Sequence, residues 1–396
     1  MTPQFLSSVA ASISSSDVEA LAVALVAAPS INPGGTEEAA VSVLADACRA
    51  AGFDVAISEV EPGRPNLVAT INGDATGPGL MILGHSDVVP PGPGWSADPF
   101  VPRRDGDLII GRGTSDMKGG IASAVAAMSA IKRAIDDGAT VSGPIRLVVT
   151  VDEEEHGIGI AHLLKNPPPG TYRGCIVAEP TRLDVVRGCR GASYFQIVVT
   201  GRAAHSGRPS DGASAIEAAA KIIGVIGDDQ REMAANPDPL LGYGTWNVGT
   251  IQGGQGISVV APDCTLGVDR RLMPGENVDD IGRALAARIR EAGIESDGIA
   301  VTVTPTMYLP GFATPEDEPI VVETARAVVE SGATTSVGGW SAACDGGWTS
   351  TALGIPTVVM GPGDINGQAH QPDESVSLSE LVTAAQAYVR VALSLL

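Results

Sequence analysis

Four short runs, Leu67–Ile71, Leu80–Leu83, Ile145–Val151 and Cys175–Val177, are apolar enough to be strands buried on both faces. Helical stretches such as Gly120–Ile135 separate some of them. Doubly buried strands interleaved with helices make an α/β sheet whose strands run parallel. The pattern changes near Gly188. Ala192–Thr200 alternates like a strand with one wet face, Ser214–Ile226 reads as a helix, and Thr245–Ile251 and Val259–Asp269 read as strands. Helix Val278–Ala292 and strand Ile299–Thr304 complete a β-α-β-β-α-β series, the order of a ferredoxin-like α+β sandwich. After Pro310 the α/β pattern resumes, with helix Glu318–Ser331, strand Thr357–Met360 and a closing helix from Ser379.

The expectation is an α/β domain with a mostly parallel sheet flanked by helices, formed by residues 1–187 and 309–396. The ferredoxin-like segment, residues 188–308, is inserted into it. A chain of 396 residues exceeds what one core usually serves, which agrees with two domains. Two further helices open the chain, Asp17–Ala28 behind a capping serine run and Thr36–Ala51 ending at Gly52.

Hydrophobic residues at 44% and charged residues at 18% describe a packed globular protein, not a disordered one. A net charge of -21 argues against a nucleic-acid partner. The N-terminus lacks a basic start followed by an apolar core, so no signal peptide is expected. Nor does any run reach the roughly 18 apolar residues of a membrane span. Cys48, Cys175, Cys189, Cys264 and Cys344 are scattered without a CxxC pair, which suits free thiols in the cytoplasm.

Chemistry-bearing residues gather where the apolar runs end. His85 and Asp87 follow Leu80–Leu83, and the i, i+2 spacing of an extended chain lets the aspartate orient a metal-binding imidazole. Asp116 lies in the glycine-rich loop Gly111–Gly120, where a helix N-cap is the ordinary alternative. Asp152, Glu153, Glu154 and Glu155 stand together after Ile145–Val151, an acidic run that needs a positive partner unless it is simply solvated. Glu179 follows Cys175–Val177, and His370 and Glu374 follow the Gly361-Pro362-Gly363 turn. Each signal is weak alone, but together they cluster at strand ends, where α/β folds build their sites. Two imidazoles with three carboxylates and no thiolate suit zinc, ahead of cobalt or manganese.

These segments resemble the co-catalytic zinc peptidase and deacylase family that includes acetylornithine deacetylase, succinyl-diaminopimelate desuccinylase, aminoacylases and glutamate carboxypeptidase. The resemblance runs from about Leu80 to Glu374. It implies that Asp116 bridges two metals, with His85 and Glu179 on one and Glu154 and His370 on the other. Asp87 would support His85, and Glu153 would be the general base acting on a metal-bridging hydroxide. Glu155 and His156 depart from the family pattern and are taken as surface residues. The inserted domain would be a lid that forms a homodimer through strand Ala192–Thr200 and helix Ser214–Ile226, with His205 stabilising an oxyanion in the partner's site. Arg190, Arg270, Gly361 and Gly363 would contact substrate.

The implied activity is hydrolysis of the amide bond of an N-acyl amino acid, with a dipeptidase or carboxypeptidase as the alternative. A non-catalytic metal- or ligand-binding relative would have no use for Glu153. The desuccinylases' Arg-Arg-Gly-Ser stretch stands here as Cys189-Arg190-Gly191-Ala192, one arginine short, which weighs against a succinyl substrate.

Overall fold

A computed structural model describes all 396 residues, which form two compact units. The first comprises Met1–Arg187, Ala313–Gly338 and Trp348–Leu396; the second comprises Gly188–Phe312 and Gly339–Gly347.

In the first unit the sheet runs, in spatial order, Asp54–Glu61, Arg64–Ile71, Ile145–Thr150, Gly79–His85, Tyr172–Val177, Thr357–Val359 and Val185–Cys189. Ile145–Thr150, Gly79–His85, Tyr172–Val177 and Thr357–Val359 pair in parallel. Outside these four the pairing is antiparallel. The sheet is therefore mixed, parallel where it is buried on both faces and antiparallel towards its edges. Every residue of Gly79–His85 and of Ile145–Thr150 is buried, as their largely apolar character requires, with Arg146 the one charged exception beside His85.

Helices Ser15–Val26, Lys118–Asp136 and Leu378–Leu395 bury Leu25, Met128 and Leu381 in the core of this unit. Ser377 caps the last of them by accepting the Glu380 N–H. The Tyr388 hydroxyl donates to the Met360 carbonyl at 2.8 Å, fixing that helix to the end of a central strand. Gly120 is needed for a close approach: a Cβ there would stand 2.1 Å from the Ala178 carbonyl oxygen. Helix Lys118–Asp136 can thus begin directly against the end of Tyr172–Val177, which brings its preceding loop to the site.

The second unit has the expected β-α-β-β-α-β order. Its antiparallel sheet runs Thr245–Gly253, Asp263–Leu272, Gly191–Thr200, Ala300–Leu309. Phe195, Ile197 and Val199 face Ile222, Leu285 and Ile289 of its two helices in a separate core. Of the two ways strand Ala192–Thr200 could supply a dimer contact, edge to edge or by an apolar face, the first is closed, because it lies inside the sheet with both ladders filled. The free edges belong to Thr245–Gly253 and Ala300–Leu309. No single helix in the chain is long and apolar enough to cross a membrane.

Candidate metal centre

The parallel strands of the first unit all end on one side, and each delivers part of the site as its ladder stops. His85 closes Gly79–His85, Asp152 to Glu154 follow Ile145–Thr150, and Glu179 follows Tyr172–Val177. His370 lies on the loop after Thr357–Val359, and Asp116 precedes helix Lys118–Asp136.

Asp116 occupies the middle. Its Oδ1 is 3.2 Å from His85 Nε2, and its Oδ2 is 3.4 Å from His370 Nε2. His85 Nε2 lies 3.5 Å from Glu179 Oε1, and His370 Nε2 lies 3.1 Å from Glu154 Oε2. Donor atoms of His85, Asp116 and Glu154 fall within 4.8 Å of one another, as do those of His85, Glu153 and Glu179. The structure therefore gathers His85, Asp87, Asp116, Glu153, Glu154, Glu179 and His370 in one place. Glu155 joins neither group.

Electrostatics favour positive charge here. Burial alone would lower the pKa of His85, but Glu179, Asp116 and Asp87 hold it well above the usual imidazole range. Hydrogen bonding to Asp116 and Glu154 pushes His370 up to about 10. Burial and the nearby Asp116 raise Glu179. At Asp116 burial works the other way, and the two imidazoles outweigh it and lower the pKa. Protons and divalent cations compete for the same lone pairs, so crowded carboxylates sharing two imidazoles fit a pair of cations. The nitrogen and oxygen donors suit zinc, cobalt or manganese.

His85 is oriented by its other nitrogen. Nδ1 is 3.0 Å from the main-chain carbonyl of Asp87 and 3.4 Å from its Oδ1. With Nδ1 donating to that carbonyl, Nε2 is the nitrogen turned towards Asp116 and Glu179. The Asp87 carboxylate has a second task. It accepts the N–H of Glu153 at 3.2 Å, the N–H of Glu154 at 3.1 Å and the Asn32 amide at 2.9 Å.

Glu374 does more than the sequence suggested. Its buried carboxylate accepts the N–H groups of Gly113, Ser115 and Asp116 and pairs with Arg112 Nη1 at 2.7 Å. The loop that carries Asp116 hangs from this one side chain. Glu374→Ala strands three N–H groups and removes the carboxylate partner of a buried guanidinium. Breaking such a pair costs about 3–5 kcal/mol. Urea denaturation should show a lower midpoint with an unchanged slope, and an unmoved midpoint would rule out this anchoring role.

The remaining expected residues take other places. Gly361 and Gly363 permit close backbone packing, since a Cβ would stand 2.5 Å from the Ala178 carbonyl oxygen at Gly361 and 2.3 Å from Ser115 Oγ at Gly363. In the second unit, Arg270 is buried, pairs with Glu276 at 2.8 Å and lies over the Trp246 ring. Its guanidinium thus makes an ion pair within its own unit. Arg190 Nε donates to the Leu241 carbonyl at 2.8 Å. His205 is exposed on the loop after Gly191–Thr200, and its Nδ1 accepts the Gly207 N–H at 3.0 Å. In the neutral ring that leaves Nε2–H as the donor.

Comparison with known proteins agrees with this geometry. Residues 81–394 match the sequence model of peptidase family M20/M25/M40. Acetylornithine deacetylase of Aliivibrio fischeri (strain MJ11) is 32% identical over 345 residues, covering 86% of each chain. Among solved structures, the metallo-carboxypeptidase Sso-CP2 of Sulfolobus solfataricus superposes with a TM-score of 0.78 at 20% identity, covering 95% of this chain and 98% of that one. The YXEP protein of Bacillus subtilis, described as a dinuclear metal binding peptidase, has a TM-score of 0.72 at 16% identity, covering 96% and 98%.

Proposed function

This chain belongs to peptidase family M20/M25/M40 and is a hydrolase, and we propose that it cleaves the amide bond of an N-acyl amino acid at a two-metal centre. The observation that carries the proposal is Asp116, whose two oxygens face His85 and His370 at 3.2 and 3.4 Å. The deacetylase relatives favour an acyl amino acid over a dipeptide. A dipeptidase or carboxypeptidase activity is the second reading, favoured by the metallo-carboxypeptidase among the structural neighbours.

His85 and Glu179 would hold one ion, Glu154 and His370 the other, and Asp116 both. The ions, zinc before cobalt or manganese, would supply Lewis acidity, polarising the scissile carbonyl and bringing a water's pKa from about 15.7 towards 7. Glu153, its main chain held by Asp87, takes the proton of the attacking water and passes it to the departing amine. His205 Nε2–H donates to the oxyanion that forms on the carbonyl. A hydrolysis screen of N-acyl amino acids and dipeptides, with zinc, cobalt and manganese added separately, tests the proposal. Dipeptide cleavage without any deacylation would replace it with the second reading.

The second unit would form a two-fold dimer. Ile216 and Ile223 are exposed seven residues apart on helix Ala215–Ala234, and Ile251 is exposed on the edge strand Thr245–Gly253. Ile257 and Val259 extend this apolar patch beside Ile216. Across such a dimer His205 would serve the partner's site. Mixing Glu153→Gln with His205→Ala then creates one complete site per mixed dimer, and activity should return towards half. Continued inactivity after proven subunit exchange would place His205 in its own chain's site or outside catalysis. We place the enzyme in the cytoplasm on its five free, buried cysteines.

A further inference from the structure

Behind the acidic turn lies a second set of charges that the metal centre does not use. Asp152 has a positive φ of 65°, a conformation that costs energy in a residue with a side chain and persists only when its surroundings enforce it. Four donors do so. Its Oδ2 accepts the N–H groups of His156 and Ile158, both at 3.2 Å. Its Oδ1 accepts Asn32 Nδ2 at 2.9 Å and Arg64 Nη2 at 3.0 Å. The same Asn32 nitrogen reaches Asp87, whose carboxylate holds the N–H groups of Glu153 and Glu154. Arg64 is in turn fixed by Glu37, with Nε 2.9 Å from Oε2 and Nη2 2.6 Å from Oε1. Glu37 is 1% exposed and Arg64 15%.

We infer that Arg64 is a positioning residue for hydrolysis: through Asp152 it fixes the turn that aims Glu153. The inference rests on the hydrolase assignment above. A guanidinium clamped bidentately by a buried carboxylate has little freedom, so the second N–H of Nη2 is a rigid stop for Asp152. Without that stop the positive-φ turn loses one of its four restraints, and Glu153 drifts from its aim. Glu154 and the other ligands keep their own contacts with His370, Asp116 and His85. The loss therefore falls on turnover more than on metal or substrate binding.

The test compares Arg64→Met, Arg64→Lys and the double variant Glu37→Met with Arg64→Met, each loaded with Co²⁺. Arg64→Met should lose about 10- to 100-fold in kcat, the usual effect of removing a supporting contact, with KM and two Co²⁺ per chain retained. Hydrogen exchange should quicken selectively in residues 152–158, and Arg64→Lys should recover part of both effects. The double variant removes the Glu37 carboxylate that Arg64→Met strands, so the stability lost with that pair should return while kcat stays low. Recovery of kcat together with stability would overturn the inference, because Arg64 would then merely neutralise Glu37. Wild-type kcat and exchange in Arg64→Met would overturn it too, as would exchange rising equally throughout the first unit. If the wild-type protein hydrolyses no acyl amino acid or peptide, the hydrolase assignment falls instead, and exchange at 152–158 still decides what Arg64 holds.

Discussion

Glu153→Gln should lower kcat by roughly 10²–10⁴-fold, the usual worth of a general base, while two metal ions per chain remain. The amide keeps the shape of the carboxylate but cannot take a proton. Glu153 lies near His85 and Glu179 without a ligand role in the proposed pair of sites, whereas Glu154 is 3.1 Å from His370 Nε2. Glu154→Gln should therefore behave differently, losing metal first and activity as a consequence. Metal analysis beside steady-state kinetics separates the two. Equal metal loss in both variants would mean that the base has been assigned to the wrong glutamate, with Glu155 the nearest substitute.

Asp116→Asn should empty both sites, because in the proposed centre one carboxylate serves both. Stoichiometry should drop from two ions towards none, and turnover should disappear with them. His370→Ala touches only one of the pair and should leave one ion. The metal-free protein offers an independent check. Asp116 is buried among Glu179 and Glu154, and it raises the pKa of each. Against burial, its own pKa is nonetheless lowered by His370 and His85, so its charge is net stabilising, and metal-free Asp116→Asn should unfold more easily than the metal-free parent at neutral pH. An Asp116→Asn protein that still bound one ion tightly would refute the shared ligand.

What the sequence made legible follows from the range of the interactions involved. Gly79–His85 could be read as a doubly buried strand because its apolar run is local, and so is the alternation of Gly191–Thr200. Alternation reports which face is wet but not which neighbours fill the edges, so an edge-to-edge contact by Ala192–Thr200 stayed open until both its ladders were seen filled. Helix Ser214–Ile226 was expected to stop before Gly227, yet it runs Ala215–Ala234. Beyond the glycine, Gln230 and Asp229 accept hydrogen bonds from Trp246, tertiary contacts that outweigh a weak helix former. The proposed metal ligands were legible because a known family shares their motifs. Asn32 and Arg64 were not, since their bonds to Asp152 span 120 and 88 residues and leave no local pattern. Glu374 stood in view, but its hold on Asp116 spans 258 residues.

The sheet order also bears on how the chain is made. Tyr172–Val177 has Thr357–Val359 as its neighbour, and all of the second unit is translated between them. At about 5–20 residues per second, a ribosome needs on the order of ten seconds to cross that interval. Throughout it, the nascent first unit presents an apolar strand with one bare edge, the kind of surface that invites aggregation. The second unit, by contrast, is nearly contiguous and can fold as it emerges. Biogenesis, then, should depend on how well that waiting edge is shielded, and substitutions in Thr357–Val359 should reduce yield of folded protein more than they reduce the stability of what does fold.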